Sequence, residues 1–412
     1  MPVTRRDFGA TLAGAVAWLG TLACAPARAH GKGPAHHDQL DDLQSRLEAL
    51  QARVPKLLDY LSEAVPGISI AAILDGNVVW SAGFGVRRMG GKEPVTADTV
   101  FEGASLGKPV LAYAILRVRE EGGIDLDRPL LEYMSYADVG ADPRAKAVTA
   151  RHVLSHRTGL PNWRSEGGLT FEFTPGERFS YSGEAFFWLQ RVLEHITMVP
   201  FALYMREQVL QPCGMRSSSF VLLPDMIANC AISHPARGKP TDGFYLDLGR
   251  RYLELAHRWN KPVETWRYED AVSAAHELNV DTPAIPSPTG LAPNAAGSLL
   301  TTAGDYARFM TRFMPRSSRD QYDLSEATRR EMLTPQSPLK RALSHGLGWA
   351  LEREGDVTSF WHSGFNRGFK DVALADSRGR IGVVLLTNSN EGDRLRWPIV
   401  HDFTGRGEAA LL

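Results

Sequence analysis

Strand-forming segments occur at both ends of this chain. Residues 68–74 and 78–84 are rich in aliphatic and aromatic side chains, and Asp75-Gly76 between them is a strong hairpin signal. Four more short strands are predicted near the other end, over residues 346–351, 358–362, 369–375 and 380–387. Helical periodicity dominates between the two groups. We therefore predict an α+β fold (an α/β sandwich), with a mainly antiparallel sheet built from both ends, flanked by helices, and a helix-rich region inserted between.

Two helices are predicted outside the inserted region. Apolar residues spaced mostly three and four apart over residues 38–64 predict an amphipathic helix, in which Pro55 marks a kink or a break. Residues 397–403 are predicted to pack as a closing helix.

Residues 224–293 are predicted to form an irregular insertion. They contain one helical pattern, over residues 250–259. Four prolines follow within a short stretch: Pro283, Pro286, Pro288 and Pro293. Prolines at this density favour irregular backbone. A segment of this kind is either a lid over a functional site or plain elaboration, and both interpretations stay open here.

Size and charge narrow the functional classes. The 412 residues, 43% of them hydrophobic, are enough for a large folded core. The chain has 46 basic and 47 acidic residues, so its formal net charge is −1, and no long run of one sign is present. Nothing in this pattern provides a phosphate-binding surface, and nucleic-acid binding is not expected.

The first 29 residues have the pattern of an export signal. Arg5-Arg6 precede an apolar run of about 17 residues, which is marginal for a membrane span of roughly 20. Ala27-Arg28-Ala29 then has the A-x-A form of a signal-peptidase site. Paired arginines are typical of a twin-arginine signal. We expect export to the periplasm or the medium with cleavage after Ala29 and no stable membrane span; lipoprotein anchoring through Cys24 is the less favoured alternative.

The cysteines and histidines indicate neither a redox motif nor a metal site. Cys213 and Cys230 alone follow the signal, and we interpret them as two buried small side chains, although an oxidising compartment leaves pairing open. His152 and His156 are four residues apart, but Val153 stands where a zinc-binding H-E-x-x-H helix has glutamate. No metal and no other cofactor is expected.

The stretch over residues 102–109 contains a serine that fits two catalytic patterns. Ser105 forms an S-x-x-K pair with Lys108, and it also forms a G-x-S-x-G elbow with its flanking glycines. Apolar residues after Lys108 predict a helix that places the pair on one face. A partly buried lysine at the positive end of a helix has a lowered pKa and becomes a neutral base. The elbow needs an alternating strand–helix chain, but a hairpin lies upstream, so the lysine mechanism is favoured.

Two downstream motifs, together with the Ser105–Lys108 pair, match a known set of catalytic motifs. They are Tyr181-Ser182-Gly183 and Trp361-His362-Ser363-Gly364-Phe365. In order and rough spacing the chain resembles the serine β-lactamase and penicillin-binding-protein superfamily, especially its class C β-lactamase, D,D-peptidase and esterase branch. The motifs of that family are S-x-x-K, Y-x-N and K-T-G or H-x-G. The resemblance covers roughly residues 45–405 and implies a β-lactamase/transpeptidase-like fold.

The resemblance implies a role for each matched residue. Ser105 is the nucleophile that becomes acylated, Lys108 is its base partner, and Tyr181 is the phenol that relays a proton to the leaving group. The backbone N–H groups of Ser105 and Phe365 form the oxyanion hole, and His362-Ser363-Gly364 form one wall of the cleft. Tyr181 can act as a base only if protonated Lys108 lowers its pKa far below its usual value of about 10.

Two departures from the family pattern bear on the substrate. Gly183 stands where Y-x-N has asparagine, whose amide holds the acyl-side amide of the substrate in β-lactamases and peptidases. His362 replaces the lysine of K-T-G and, being largely neutral near pH 7, is a weaker partner for a substrate carboxylate. Both changes favour the esterase end of the family. Arg367 can restore a carboxylate anchor, and Trp163, in a Pro-Asn-Trp loop, is a candidate for lining the pocket.

We therefore predict an exported serine hydrolase with a Ser105 acyl-enzyme, with a carboxylesterase acting on a small-molecule ester as the first choice. The alternatives are a D,D-carboxypeptidase or D-aminopeptidase acting on a D-amino-acid peptide, a β-lactamase acting on a β-lactam, and, from another class, a non-catalytic penicillin-binding-like scaffold. The predicted organisation is a signal peptide over residues 1–29, a linker over 30–44, the hydrolase domain over 45–405 and a tail over 406–412.

Overall fold

A computed structural model describes residues 34–165, 168–236, 239–280, 290–315, 319–340 and 342–408. The predicted export signal and the prolines at positions 283, 286 and 288 lie outside these residues. The chain divides into two compact units, Met1–Asp42 and Leu43–Leu412. Apart from the first turns of one helix, the fold below is that of the second unit.

The main sheet is built from both ends of the chain. The strands are β1 (Gly67–Leu74), β2 (Asn77–Gly85), β3 (Phe101–Ala104), β4 (Ser233–Ala236), β5 (Lys239–Thr241), β6 (Leu299–Thr301), β7 (Ser337–Pro338), β8 (Leu343–His345), β9 (Ala350–Glu354), β10 (Val357–Asn366), β11 (Phe369–Asp376) and β12 (Ile381–Thr387). Within the described ranges, eight of them form one antiparallel sheet in the order β2-β1-β12-β11-β10-β9-β8-β7. Ile68 faces Thr387 across β1 and β12. The predicted pairing of the two ends is confirmed.

Helices flank this sheet. They are α1 (Pro34–Leu61), α2 (Gly107–Glu120), α3 (Ala150–Leu154), α4 (Gly183–Thr197), α5 (Phe201–Met205), α6 (Phe244–Trp259), α7 (Tyr268–Glu277), α8 (Ala303–Thr311), α9 (Glu326–Met332) and α10 (Asp402–Thr404). Helical turns over Gly392–Leu395 and Arg396–His401 lead into α10, which confirms the predicted closing helix. No helix in the described part of the chain is both long and apolar enough to cross a membrane.

The sheet is buried on both faces, and alternate residues of β1 show this directly. Ala71 and Ile73 pack in the core that contains α2 and α8, whereas Ile70 and Ala72 pack with the apolar face of α1. All eight residues of β1 are buried. Cys213 and Cys230 are free and buried, as predicted.

Helix α1 runs through Pro55 without ending there. Val54 and Leu58 on either side of the proline are buried at 0% and 5% exposure, and packing of this face against the sheet outweighs the lost backbone hydrogen bond. The helix begins at Pro34, inside the segment that the sequence assigns to the linker.

The predicted strand over residues 346–351 is wrong. Strand β8 ends at His345 and β9 begins at Ala350, and the residues between them form the connection. Gly348 has a φ of +88°, and a Cβ there would lie 2.4 Å from the Cβ of Ala112 in α2. This left-handed backbone, pressed against a helix, breaks the strand that the hydrophobic pattern suggests.

The described residues of the region over 224–293 are more regular than predicted. It contains the short hairpin β4–β5 and the two helices α6 and α7. The predicted helix over residues 250–259 is confirmed, but it starts earlier, at Phe244. The first turn of α6 reaches the candidate active site.

Candidate active site

A strained turn places Ser105 at the start of α2. Strand β3 pairs with β6 and ends at Ala104, whose φ of +49° is costly for a residue with a Cβ, on the order of 1–3 kcal/mol. The Leu106 N–H donates to Gly103 O at 2.9 Å and tightens the turn. A Cβ at Gly107 would lie 2.4 Å from Ala295 O, so glycine is needed for the close approach of the neighbouring segment.

Ser105 and Lys108 form a close pair. Lys108 Nζ lies 2.9 Å from Ser105 Oγ and also donates to Ala296 O at 2.9 Å. The lysine is fully buried, and burial lowers its pKa well below its usual value. In this arrangement Lys108 Nζ donates to Ser105 Oγ, and Ser105 Oγ donates to Ala296 O at 3.3 Å. A neutral amine fits the site, because rotation of the Ser105 hydroxyl towards Nζ lets the amine lone pair accept its proton. The pair is therefore arranged for proton transfer from Ser105 to Lys108.

Tyr181 completes a triad of side chains around the hydroxyl. Its ring centroid lies 4.7 Å from Lys108 Nζ, and its hydroxyl is hydrogen-bonded with Ser105. Burial raises the pKa of Tyr181 well above its usual range, and the hydrogen bond to Ser105 offsets only part of this. The condition for Tyr181 to act as a base, a positive Lys108 that lowers its pKa, is therefore not met here. We therefore expect a protonated phenol at Tyr181, with Lys108 as the base partner of Ser105.

Two histidines lie beside the ring of Tyr181, and a third packs against one of them. His156 stacks on it with centroids 4.3 Å apart, His345 lies 4.8 Å from His156, and His362 lies 6.2 Å from Tyr181. Burial lowers the pKa of His345 to about 4 and that of His362 to about 3. His362 is therefore uncharged at neutral pH, and its ring packs beside Tyr181 behind the cavity wall. No group of three or more metal-ligating side chains within the described ranges is arranged to hold a metal.

A cavity of about 670 Å³ opens at Ser105. Its polar lining comprises Ser105, Asn162, Tyr181, Ser363, Asn366 and Arg367. Its larger side chains are Trp163, Phe244, Tyr245, Val280 and Phe365. Six residues predicted for the site thus meet at one cavity: Ser105, Trp163, Tyr181, Ser363, Phe365 and Arg367. Lys108, Gly183, His362 and Gly364 lie behind its walls.

Gly364 brings the third motif against the nucleophile strand. A Cβ at this position would lie 2.5 Å from Gly103 O, so glycine lets β10 approach the end of β3. Phe365 and Ser105 consequently line the same cavity. The assignment of their N–H groups to an oxyanion hole stays a prediction, and this approach is the geometry that it requires.

Trp163 occupies the space beside Gly183. A Cβ at Gly183 would lie 2.6 Å from the Trp163 ring, so no side chain fits there while the tryptophan stays in place. The Gly183 N–H donates to both the backbone and the side-chain oxygen of Asn162 at 3.0 Å. The Trp163 indole thus occupies the space that the asparagine of the Y-x-N motif would need. Asn162, on the neighbouring loop, places a different side-chain amide at the same edge of the cavity.

Restoring asparagine at Gly183 is expected to destabilise the protein by about 1–3 kcal/mol, because the new side chain collides with the Trp163 ring. The measurement is the free energy of unfolding from urea denaturation of the Gly183→Asn variant. In the Trp163→Ala background the same substitution should cost much less. An equal cost in both backgrounds would mean that Trp163 does not exclude a side chain at position 183.

The sequence did not indicate several residues of the cavity. Ala296 contributes a backbone oxygen, which no side-chain pattern reveals. Phe244 and Tyr245 come from the first turn of α6, and Asn366 lies one residue beyond the third motif. Asn366 could have been found from the sequence as a polar residue directly after a matched motif. Asn162 could have been found as the polar residue next to Trp163 in the Pro-Asn-Trp loop.

Comparison with known proteins agrees with this geometry. The family described as Beta-lactamase matches residues 43–403, which is most of the chain. The fold is similar to that of D-alanine carboxypeptidase AmpC from Burkholderia cenocepacia, with a TM-score of 0.65 and 18% identity, covering 89% of this chain and 99% of that one. At this identity the likeness concerns the fold alone.

Two curated proteins are similar over part of their length. Esterase EstB of Burkholderia gladioli is 28% identical over 216 residues, which cover 44% of this chain and 55% of EstB. Protein flp of Staphylococcus aureus is 22% identical over 208 residues, which cover 46% of this chain and 42% of flp. The chain thus spans about half of the length of these relatives.

The fold and the Ser105–Lys108 pair define a serine hydrolase class of protein. The chain belongs to the Beta-lactamase family, and one of its curated relatives is named as an esterase. The resemblance inferred from the motifs and the β-lactamase/transpeptidase-like fold class are confirmed.

Proposed function

We propose that this protein is an exported carboxylesterase or related acyl hydrolase that works through an acyl-enzyme at Ser105. One observation carries the proposal: the buried Lys108 amine lies 2.9 Å from the Ser105 hydroxyl. Within the described residues Lys108 forms no ion pair that would hold it in its charged form. A neutral amine at this distance is the base that a serine nucleophile requires.

Each proton in the reaction has a donor and an acceptor. Lys108 takes the Ser105 proton as Oγ attacks the ester carbonyl, and the negative charge develops on the carbonyl oxygen near the Ser105 and Phe365 N–H groups. The intermediate collapses, the C–O bond to the alcohol breaks, and Tyr181 gives its proton to the departing alkoxide while it recovers one from Lys108. Water then attacks the acyl-enzyme by the same steps in reverse, which releases the acid.

The walls of the cavity support an ester substrate. Trp163 excludes the side chain that holds an acyl-side amide in the Y-x-N motif, and Phe244 and Phe365 are 45% and 57% exposed at the cavity. Exposed aromatic side chains around a nucleophile favour an apolar acyl or alcohol group. The similarity to an enzyme named as an esterase, EstB, supports the same choice.

A D-amino-acid peptidase is the second candidate, and Arg367 favours it. The side chain lines the cavity and forms no ion pair among the described residues. A free guanidinium beside a serine nucleophile can hold a substrate carboxylate in a bidentate contact. The neutral His362 cannot offer such a charge.

Steady-state hydrolysis by the protein from residue 30 to residue 412 tests the proposal. The substrates are p-nitrophenyl acetate and butyrate, nitrocefin, and a D-alanyl p-nitroanilide, with Ser105→Ala as the control. Turnover of the two p-nitrophenyl esters alone, lost in the variant, is expected. Preference for the anilide would support the peptidase, and preference for nitrocefin would support a β-lactamase.

Absence of turnover, together with no fluorophosphonate adduct at Ser105, would support a non-catalytic scaffold. Export has its own readout in the natural host. Protein recovered outside the cytoplasm is expected to begin at His30, and an N-terminus at Met1 in that fraction would contradict cleavage of the signal.

A further inference from the structure

A buried carboxylate lies three residues before the nucleophile, and the proposed reaction does not use it. Glu102, on β3, is 2% exposed. Its Oε2 accepts a hydrogen bond from Asn366 Nδ2 at 2.7 Å, and its Oε1 accepts from the backbone N–H groups of Tyr245 and Leu246 at 3.2 and 3.3 Å. One side chain thus joins the nucleophile strand to the end of β10 and to the first turn of α6.

The fit around Glu102 is close. A Cβ at Gly243, directly before α6, would lie 2.1 Å from Glu102 Oε1, so only glycine allows the start of the helix to approach the carboxylate. The N-terminus of α6 stabilises an anion at this point. Two of the groups that Glu102 holds, Tyr245 and Asn366, line the cavity at Ser105. The carboxylate therefore fixes part of the cavity wall.

Glu102 also determines which end of the Asn366 amide faces the cavity. Asn366 Nδ2 donates both to Glu102 Oε2 and to Gly297 O, the latter at 3.2 Å. A carboxylate and a carbonyl are both pure acceptors, so turning the amide round would set its oxygen against two other oxygens. Asn366 Oδ1 is consequently the end left for a ligand, and no residue among those described donates to it.

We propose that Asn366 is a specificity-determining residue that accepts a hydrogen bond from the substrate through Oδ1, and that Glu102 is the positioning residue that holds this amide in place. Asn366 directly follows Phe365, a predicted oxyanion donor, so the donor group is expected in the acyl part of the substrate, near its carbonyl. The substrate class is an ester whose acyl group carries an N–H or O–H. This inference rests on the proposed Ser105 acyl-enzyme.

A pair of isosteric esters tests the inference. Phenyl N-acetylglycinate carries an N–H where phenyl 4-oxopentanoate carries a methylene. The quantity measured is the ratio of their kcat/KM values at pH 8, above the pKa of Glu102, which burial raises to about 7. The intrinsic reactivity of each ester is the same for every variant, so it cancels when ratios are compared.

The ratio is expected to fall about 3- to 10-fold in Asn366→Leu, because this is the usual net contribution of one hydrogen bond to binding. It is expected to fall similarly in Glu102→Gln, because the new amide places a donor against Asn366 Nδ2 and releases or reverses it. Glu194→Gln is the matched control, since Glu194 is also buried, at 6% exposure, but does not line the cavity. Its ratio should equal that of the unmodified protein, and an unchanged ratio in both test variants would overturn the inference.

A second measurement tests the positioning without turnover. The side-chain amide protons of Asn366, observed by NMR in ¹⁵N-labelled protein, should exchange slowly in the unmodified protein and in Glu194→Gln, and faster in Glu102→Gln. Fast exchange in the unmodified protein would overturn the positioning role of Glu102. Slow exchange without turnover of either ester would support that role while the proposed esterase function fails, so the two failures are distinguishable.

Discussion

Lys108→Ala is expected to lower kcat/KM for ester hydrolysis by about 10²- to 10⁴-fold, the usual contribution of a positioned general base. The variant loses the amine that lies 2.9 Å from Ser105 Oγ, and the remaining partners of this hydroxyl, Ala296 O and the protonated Tyr181, are poor bases. The measurement is the steady-state hydrolysis of p-nitrophenyl butyrate. Lys146→Ala, which removes an exposed lysine, is the matched control and should retain full activity.

Two further variants separate catalysis from folding. Lys108→Met keeps the length of the side chain and removes the buried amine, so it should be as inactive as alanine. The folded pKa of Lys108 lies below its unfolded value, so the unfolded chain binds more protons between the two values and stability rises with pH across that window. The methionine variant should therefore unfold at a higher temperature at pH 7, with an advantage that shrinks as the pH approaches about 10.

The pH dependence of kcat/KM also tests whether Lys108 is the base. Only the neutral amine accepts the Ser105 proton, so kcat/KM should rise with pH through the lowered pKa of Lys108 and then level off. His362→Ala should cost far less than Lys108→Ala, because His362 is neutral and packs beside Tyr181 without touching Ser105. Retention of activity in Lys108→Ala with collapse in His362→Ala would contradict the lysine mechanism and revive the serine elbow.

The sequence predicted the parts of the structure that depend on local spacing. The hairpin at Asp75-Gly76 and the last strands follow from alternation and turn residues, and the Ser105–Lys108 pair follows from helical spacing. The strand over residues 346–351 failed because Gly348 takes a left-handed backbone against α2, which only the packing of the fold imposes.

The rest of the site depends on contacts between distant parts of the chain. Glu102 and Asn366 are 264 positions apart, and Ala296 offers only a backbone oxygen. The raised pKa of Tyr181 follows from the desolvation of its hydroxyl in the folded protein, so the sequence alone allowed this side chain to be either a base or a proton donor. Residue types identify the reacting atoms, whereas burial decides which of them carries the proton.

Tyr181→Phe is expected to impair the hydrolysis of esters with poor leaving groups more than that of esters with good ones. This difference distinguishes a phenol that donates a proton to the leaving group from one that acts as a base on Ser105. A neutral Tyr181 gives its proton to the departing alkoxide, which matters for a poor leaving group such as ethanol and little for p-nitrophenolate. The variant should therefore lose about 10²- to 10⁴-fold in kcat/KM on ethyl butyrate and far less on p-nitrophenyl butyrate. The ring still stacks on His156, so the packing is retained.

The matched control is Tyr113→Phe, since Tyr113 is a buried tyrosine on α2 whose hydroxyl donates to Tyr322 O outside the cavity. It should treat both esters as the unmodified protein does. Equal losses on the two esters in Tyr181→Phe would mean that the phenol acts when Ser105 attacks, before the leaving group departs. That outcome would require a tyrosinate, and its burial among neutral histidines opposes the charge. A loss that depends on the leaving group is therefore the result that the geometry supports, with Lys108 activating Ser105 and Tyr181 completing the release of the alcohol.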